Sequence, residues 1–559
     1  MRTLAKLAQK LAQLDGRSYG AYKQLTGSWG GAGLELAIDH VQGDPFASPS
    51  RARLMLEVDL HELPEQLRES ELRQKALADF LLRRFAVAVG RIARSGSGKS
   101  GVVRVDAGGA EVLQRSGCSF VDGSLQLCFR VGLPARGRRI LGRAAARLLT
   151  EDLPAAAREL VWSQIDQAEA RRFVELVEDH AHVQAQLAAR GLVAFVRDGS
   201  ILPRASGASS APLRDAVPFE SPESLRVRVP TLHHGELSGL GLPVGVTLIT
   251  GGGFHGKTTL LDAIARGIDP HVPGDGREWV VTSQSAVKLR SEDGRSIVGV
   301  DLGGLINDLP RGRDTARFST PNASGSTSLA AAIVESLEVG ADALLLDEDS
   351  CATNLLIRDA RMQALVARET ITPLIDRVRQ LHEQAGVSTV FVIGGSGDYL
   401  EVADTVVLMQ DYRAHEITAR AREIVASHPT GRAVQPAPGQ LVPTPRHPRR
   451  ESFDPRRGRR SKVRAHGLRE LHLGEQTIDL GALEQLVDDS QARAIGAMLA
   501  WLHEHGRRGA SVRELAEQVL EEAARRGLYA IDRLPELAGV RRFELIAAIN
   551  RLRSLELDQ

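Results

Sequence analysis

Residues 251–258, Gly-Gly-Gly-Phe-His-Gly-Lys-Thr, fit the phosphate-loop pattern G-x-x-x-x-G-K-[ST] at every fixed position. Such a loop works only between a buried strand and the start of a helix, and both flanks comply. Residues 244–250 (VGVTLIT) form a short β-branched run that predicts a buried strand, and 259–266 (TLLDAIAR) carry the helical period. In Gly251, Gly252, Gly253, Phe254, His255 and Gly256, the glycines let successive backbone N–H groups turn toward a polyphosphate. The helix beginning at Lys257, Thr258 and Thr259 adds the positive end of its dipole. Lys257 can reach the β- and γ-phosphates as a point charge, and the Thr258 hydroxyl can ligate Mg²⁺. Only eight of the 71 basic residues are lysine, so Gly-Lys-Thr is not a product of composition. The motif predicts ATP and Mg²⁺ as cofactors.

Residues 343–348, Ala-Leu-Leu-Leu-Asp-Glu, form an apolar strand ending in two carboxylates. Asp347 is placed to hold Mg²⁺ and Glu348 to polarise the water that attacks the γ-phosphate. Upstream, Ser324-Gly325-Ser326-Thr327-Ser328 opens an amphipathic helix, and downstream follows Asp349-Ser350-Cys351-Ala352-Thr353-Asn354.

In this order the segments resemble ABC-class ATPases, whose Leu-Ser-Gly-Gly-Gln signature opens a helix ahead of the acidic strand. Ser324 and Gly325 match the signature's Ser-Gly, while Ser326 and Thr327 replace its Gly-Gln, and Asp349 replaces the usual proline after the acids. With 247–257, 392–399 and 40–47, the whole pattern is similar to the divergent soluble "ATPase of the ABC class" family, which is related to an ATPase of mitochondrial RNA-editing assemblies. The resemblance implies an α/β fold: an ABC-type P-loop core with an α/β N-terminal domain and a small helical C-terminal domain. It also implies a homodimer through the core, in which Ser324, Gly325 and Ser326 of one subunit contact the nucleotide of the other, and it suggests RNA as a partner.

Two departures from the class stand out. Where a switch histidine should follow the strand at 388–393, this chain has Gly394-Gly395-Ser396-Gly397-Asp398. Ser396 or Asp398 can orient a water there, and a glycine-rich turn accounts for the run equally well. Gln284 follows a strand at 279–282 and is a candidate metal or water contact, although it lies closer to the phosphate loop than the class places its glutamine.

The 559 residues are too many for one core. Their pattern predicts an N-terminal domain at 1–165, the ATPase core at 166–445, an Arg/Pro-rich linker at 446–465 and a helical domain at 466–559. Net charge is +1, so any nucleic-acid contact must be local. Arg449, Arg450, Arg456, Arg457, Arg459 and Arg460 crowd the linker and are candidates for phosphate contact with RNA or single-stranded nucleic acid. Arg94 and Lys99 flank a second Gly-Ser-rich loop ending in Gly-Lys-Ser. That loop follows a helical stretch and precedes a strand, the reverse of a phosphate loop, so it predicts either a grip on a nucleic acid's phosphate backbone, through its N–H groups with Arg94 and Lys99, or a solvated turn. Aromatic residues are scarce near these arginines, which leaves a protein-remodelling or assembly switch without nucleic acid as the other reading. No run approaches eighteen apolar residues, so no membrane-spanning partner is encoded here, and three cysteines suit a reducing cytoplasm.

Overall fold

The computed structural model describes residues 2–558 apart from 32, 95, 208, 367, 436–440 and 442. Within the second glycine-rich loop Ser95, and within the proline-rich stretch residues 436–440 and 442, therefore lie outside the described residues. Contacts divide the chain into two units, residues 1–178 with 522–539, and residues 179–521 with 540–559. This differs from a linear series of four domains, because the segment at 522–539 joins the N-terminal unit. Tyr529 donates to Asp39 at 2.9 Å, and Ser116 donates to the Leu534 carbonyl at 2.7 Å.

The first unit is built on an antiparallel sheet in which Leu34–His40 and Ser50–Glu57 are central, next to Ser124–Val131. Ser50–Glu57 alternates strictly between buried and less buried positions, as a strand with one face on the core should. Helix Glu71–Gly90 is capped by Ser70, whose hydroxyl accepts from the Arg73 N–H.

The second unit contains a six-stranded sheet. Its elements, in chain order, are β1 (Val246–Thr250), α1 (Lys257–Arg266), β2 (Ala286–Leu289), α2 (Gly325–Glu338), β3 (Ala343–Asp347), β4 (Ser388–Val392), β5 (Thr405–Gln410) and β6 (Arg413–Glu416). The spatial order is β2-β3-β4-β1-β5-β6; the first five strands are parallel and β6 returns antiparallel. Parallel strands are covered on both faces, which is why β3 and β4 are buried at every position. β1 lies between β4 and β5, so the carboxyl ends of β1, β3 and β4 open side by side, where ligands bind open α/β sheets. Alongside the parallel sheet an antiparallel one pairs Leu192–Arg197 with Val280–Thr282 and with Glu236–Pro243. Leu260, Leu261 and Ile264 of α1 share one core with Leu240, Val280, Leu345 and Val390.

After the core the chain is more than helical. A hairpin (Arg456–Arg457 with Arg460–Ser461) leads into a three-stranded antiparallel sheet, Val463–His466, Glu470–Leu473 and Gln476–Asp479. One face of this sheet lies on helix Asp489–His505, with Leu471 and Val463 against Gly496. A capping box fixes the helix start: the Asp488 side chain accepts from the helix backbone and Gln491 returns the bond. Among the described residues no helix is long and apolar enough to cross a membrane.

Candidate functional site

The phosphate loop occupies the turn between β1 and α1. Gly251 has φ +137°, and a Cβ there would lie 2.2 Å from the Met409 carbonyl oxygen of β5, so only glycine fits beside that strand. Gly256 reaches φ +93° immediately before α1, a left-handed turn that side chains resist. The Nζ of Lys257 donates to the carbonyls of Gly251 (2.7 Å) and Gly252 (2.8 Å), which folds its charge back over the loop. His255 Nδ1 accepts from the Asp411 N–H at 2.8 Å and ties the loop to the β5–β6 turn. Gly253 is exposed, Thr259 is half-buried in the first turn of α1, and the Phe254 side chain stands in solvent at φ +63°.

Thr258 donates through Oγ1 to Asp347 Oδ2 at 2.9 Å, joining the head of α1 to the end of β3. These two groups offer hard oxygen donors at the mouth of a helix N-terminus, a set that suits Mg²⁺. Glu348 follows, and its Oε2 accepts from the N–H groups of Gly394 (2.8 Å) and Gly395 (2.9 Å). The glycine run after β4 thus aims the Glu348 carboxylate, while Oε1 accepts no hydrogen bond among the described residues. This contact was not legible in the sequence. Only the coincidence of two glycines after one strand and an acid after its neighbour hinted at it.

The two other candidates of that run stand differently. Ser396 is half-exposed in the turn beyond Gly395. Asp398 is raised above the usual carboxylate range, first by burial, and the charges around it are Arg432, Glu401 and Asp359 rather than Lys257 or Asp347.

Gln284 is a correction. It precedes β2, whose Ala286 pairs with Ala343 at the start of β3, so Gln284 lies at the amino end of the sheet, opposite Asp347. Its side chain is exposed and its carbonyl accepts from Arg541 at 2.8 Å. The segment beside the acidic strand's exit is instead 290–293. Ser291 Oγ accepts from the Ala352 N–H at 2.7 Å, and the Glu292 N–H donates to Ser328 Oγ at 2.8 Å. Strand β2 escaped notice because Lys288 interrupts its apolar run. That lysine is buried, which lowers its pKa, but Asp262 and Glu484, each 2.6 Å away, more than offset this and raise it.

Ser324 is the N-cap residue of α2, and its Oγ lies 3.4 Å from Ser326 Oγ and 3.0 Å from Thr327 Oγ1. Ser324 is exposed, while Gly325 and Ser326 are half-buried. Hydroxyls gathered at a helix start present donors and a positive dipole end to an anion.

The arginine-rich segment divides. Arg446 is 6% exposed and donates to Glu338 of α2 and to Asn550 Oδ1. Arg449 pairs with Glu556 (3.4 Å) and Asp558 (3.5 Å), and Arg450 donates to the His503 and Glu504 carbonyls at the end of their helix. Arg450 is therefore corrected as a nucleic-acid contact, since its guanidinium closes a helix end, whereas Arg449 is exposed and shared between two surface acids. Arg456 is bound by Asp454. Arg457, Arg459 and Arg460 are exposed on the hairpin and have no ion pair among the described residues.

In the Arg94/Lys99 loop the correction concerns four of the backbone N–H groups. The N–H groups of Ser97, Lys99, Ser100 and Gly101 already donate to the carbonyls of Ala135, Pro45, Ser97 and Gly132. The side chains of Arg94, exposed, and Lys99, half-exposed, are the basic groups this loop presents.

Comparison with known proteins fits this geometry. The uncharacterized protein MJ1628 of Methanocaldococcus jannaschii is 32% identical over 204 residues, a match covering 35% of this chain and 44% of that protein, so less than half of the relative is spanned. Similar solved structures include the ADP conformation of MJ1267, an ATP-binding cassette of an ABC transporter (14% identity, TM-score 0.23, 34% of this chain and 89% of that one). CbiO1 of Clostridium perfringens, part of the cbiONQ ABC transporter complex, is another (14% identity, TM-score 0.26, 43% and 96%). Family models match in series: the N-terminal domain of ATPases of the ABC class at 4–164, the ABC ATPase P-loop domain at 166–443, and the MRB1590 C-terminal domain at 462–558. With these three domains in order around a P-loop, this chain belongs to the ATPases of the ABC class.

Proposed function

We propose that two copies of this chain close head to tail around ATP, and that closure is coupled to RNA binding. The observation that carries the dimer is the hydroxyl cluster at 324–327. It has the donors and dipole of an anion site, yet among the described residues its side-chain hydroxyls bond only to one another. In a head-to-tail pair it faces the γ-phosphate held by the partner's phosphate loop. ATP supplies the transferable phosphoryl group and Mg²⁺ its charge neutralisation. Thr258 and Asp347 hold the metal ion, Lys257 binds the β- and γ-phosphates, and Glu348, oriented by the Gly394 and Gly395 N–H groups, accepts a proton from the attacking water through Oε1.

RNA as the coupled ligand is supported by the MRB1590-type C-terminal domain and by the exposed hairpin arginines. Phe453, the aromatic residue nearest them in sequence, is 1% exposed and unavailable for stacking, so the contacts are to phosphate.

The dimer is tested with Glu348→Gln, which retains an acceptor but cannot take the proton. Hydrolysis falls by about 10²- to 10⁴-fold while ATP binding persists, and sedimentation in ATP shows a dimer that neither ADP nor the nucleotide-free protein supports. An unchanged sedimentation profile in ATP would reject the head-to-tail pair.

A further inference from the structure

We infer that the C-terminal sheet carries a second metal site, for a zinc-class divalent cation, formed by His466, Glu470 and His472. The two imidazoles and the carboxylate each bring one ligand atom within 4.8 Å of the others. The hairpin enforces this. His466 lies directly opposite Glu470, and His472 is two residues further along the same strand. Partners opposite one another in an antiparallel pair, and residues two apart, project from the same face. The other face, through Val463 and Leu471, is packed on helix Asp489–His505, so the three ligands project from the side away from that helix.

The donors are already arranged as metal ligands. His472 Nε2 is 2.8 Å from Glu470 Oε1, and the His466 and His472 rings meet edge-on with centroids 5.0 Å apart. Thr477, opposite His472 on the third strand, lies with Oγ1 3.0 Å from His472 Nδ1. A metal-bound histidine usually has its other ring nitrogen hydrogen-bonded in this way, which fixes the tautomer and the ring plane. Two imidazoles with one carboxylate select zinc and its neighbours over Mg²⁺, which demands oxygen. The Glu470 side chain is 47% exposed and that of His472 25%, so a bound ion keeps solvent in its remaining positions.

Two charged neighbours share the face. Arg464 lies directly opposite His472 and opposes a cation. Asp479, opposite Glu470, favours one, although its Oδ1 also accepts from the Gly481 N–H at 2.8 Å. None of these residues belongs to the phosphate loop or its acids, so the site stands whether or not the RNA reading holds.

The test uses the full chain, stripped with chelator and free of nucleotide. Co²⁺ is titrated while visible absorption is followed, and Zn²⁺ is then added in competition. One Co²⁺ per chain is expected, with the intense bands of a four- or five-coordinate ion, displaced by Zn²⁺. Octahedral binding at Thr258 and Asp347 would absorb only weakly. His466→Ala and His472→Ala abolish the bands, and Thr477→Val weakens affinity by about tenfold or more. Arg464→Gln tightens binding, an improvement that mere damage to the sheet cannot produce. Circular dichroism identical to the parent shows that the exposed substitutions leave the fold intact. Absence of the bands in the parent at 100-fold excess Co²⁺, or bands that survive His466→Ala/His472→Ala, would overturn the site.

Discussion

The phosphate loop at 251–258 and the arginine-rich segment at 446–464 both depart sharply from the chain's average composition, yet they become structure in opposite ways. The loop's meaning is local. Its glycines, lysine and threonine act where they stand, between β1 and α1, and the acid that Thr258 meets is Asp347, 2.9 Å away. The arginines are individually ambiguous, because each can bind a phosphate, an acid or a carbonyl, and which it does depends on residues far away in the chain. Arg446 is spoken for by Glu338 and Asn550, Arg449 by Glu556 and Asp558, and Arg450 by a helix end. A motif defined by spacing carries its own context, whereas a cluster defined by charge does not.

The largest effect should come from treating a buried arginine as if it were a surface one. Arg446→Ala leaves Glu338, 5% exposed, without its main cation. Breaking a buried pair from one side costs about 3–5 kcal/mol, so the thermal transition should drop by several degrees with nucleotide chemistry affected only through stability. A melting profile identical to the parent's would erase the distinction between the two halves of the segment. Next in size is the loop itself. Lys257→Ala removes the phosphate-binding cation from a loop whose backbone glycines remain, and turnover should fall by about 10²- to 10³-fold with the fold unchanged. Undiminished ATP affinity and turnover would show that the loop's function is not local after all.

The same contrast explains what could be read before the structure was known. β1, α1, α2 and β3 were legible because their apolar periods are uninterrupted and the motifs sit at their ends. β2 was not, since Lys288 breaks its run and is tolerated only because Asp262 and Glu484 neutralise it. The strand ending at Thr282 belongs to the antiparallel sheet, and it is the next strand that lies beside the acids, so Gln284 falls at the far end of the sheet from Asp347. The orientation of Glu348 by Gly394 and Gly395 was hidden for a related reason: it is a contact between neighbouring parallel strands, and sequence does not disclose strand order. The small sheet after the core was also missed. Its strands are four residues each and joined by turns of two or three residues, too short for a period to emerge.

A smaller effect separates the hairpin from its anchored neighbours. If Arg457, Arg459 and Arg460 contact single-stranded RNA phosphates, changing all three to glutamine should reduce the slope of log affinity against log salt by about two. Arg449→Gln removes an arginine already shared between Glu556 and Asp558 and should leave that slope unchanged. Equal slopes for the parent and the triple variant, or no RNA binding by the parent at low salt, would favour a protein-assembly switch instead.

The smallest effect tests Arg456, which stands between the two classes. It is exposed like the hairpin tip yet bound by Asp454 at 2.7 Å, and the hydrogen bond from Arg456 holds the Asp454 carboxyl at about 2 against an ordinary 3.8. A carboxyl held low in the folded state contributes stability that is complete above its unfolded value and disappears as pH falls through the folded one. Here that window runs from about 4 down to about 2, and solvent screening keeps the contribution below about 1 kcal/mol. At neutral pH Asp454 is therefore an anion and cancels the charge that Arg456 would offer to a phosphate. Asp454→Asn should release that charge, steepening the salt dependence of RNA binding by about 0.7 while barely moving the melting temperature. An unchanged slope would place Arg456 off the path of the nucleic acid and confine the contact to Arg457, Arg459 and Arg460. A shallower slope would mean that the Asp454–Arg456 pair shapes the hairpin that presents them.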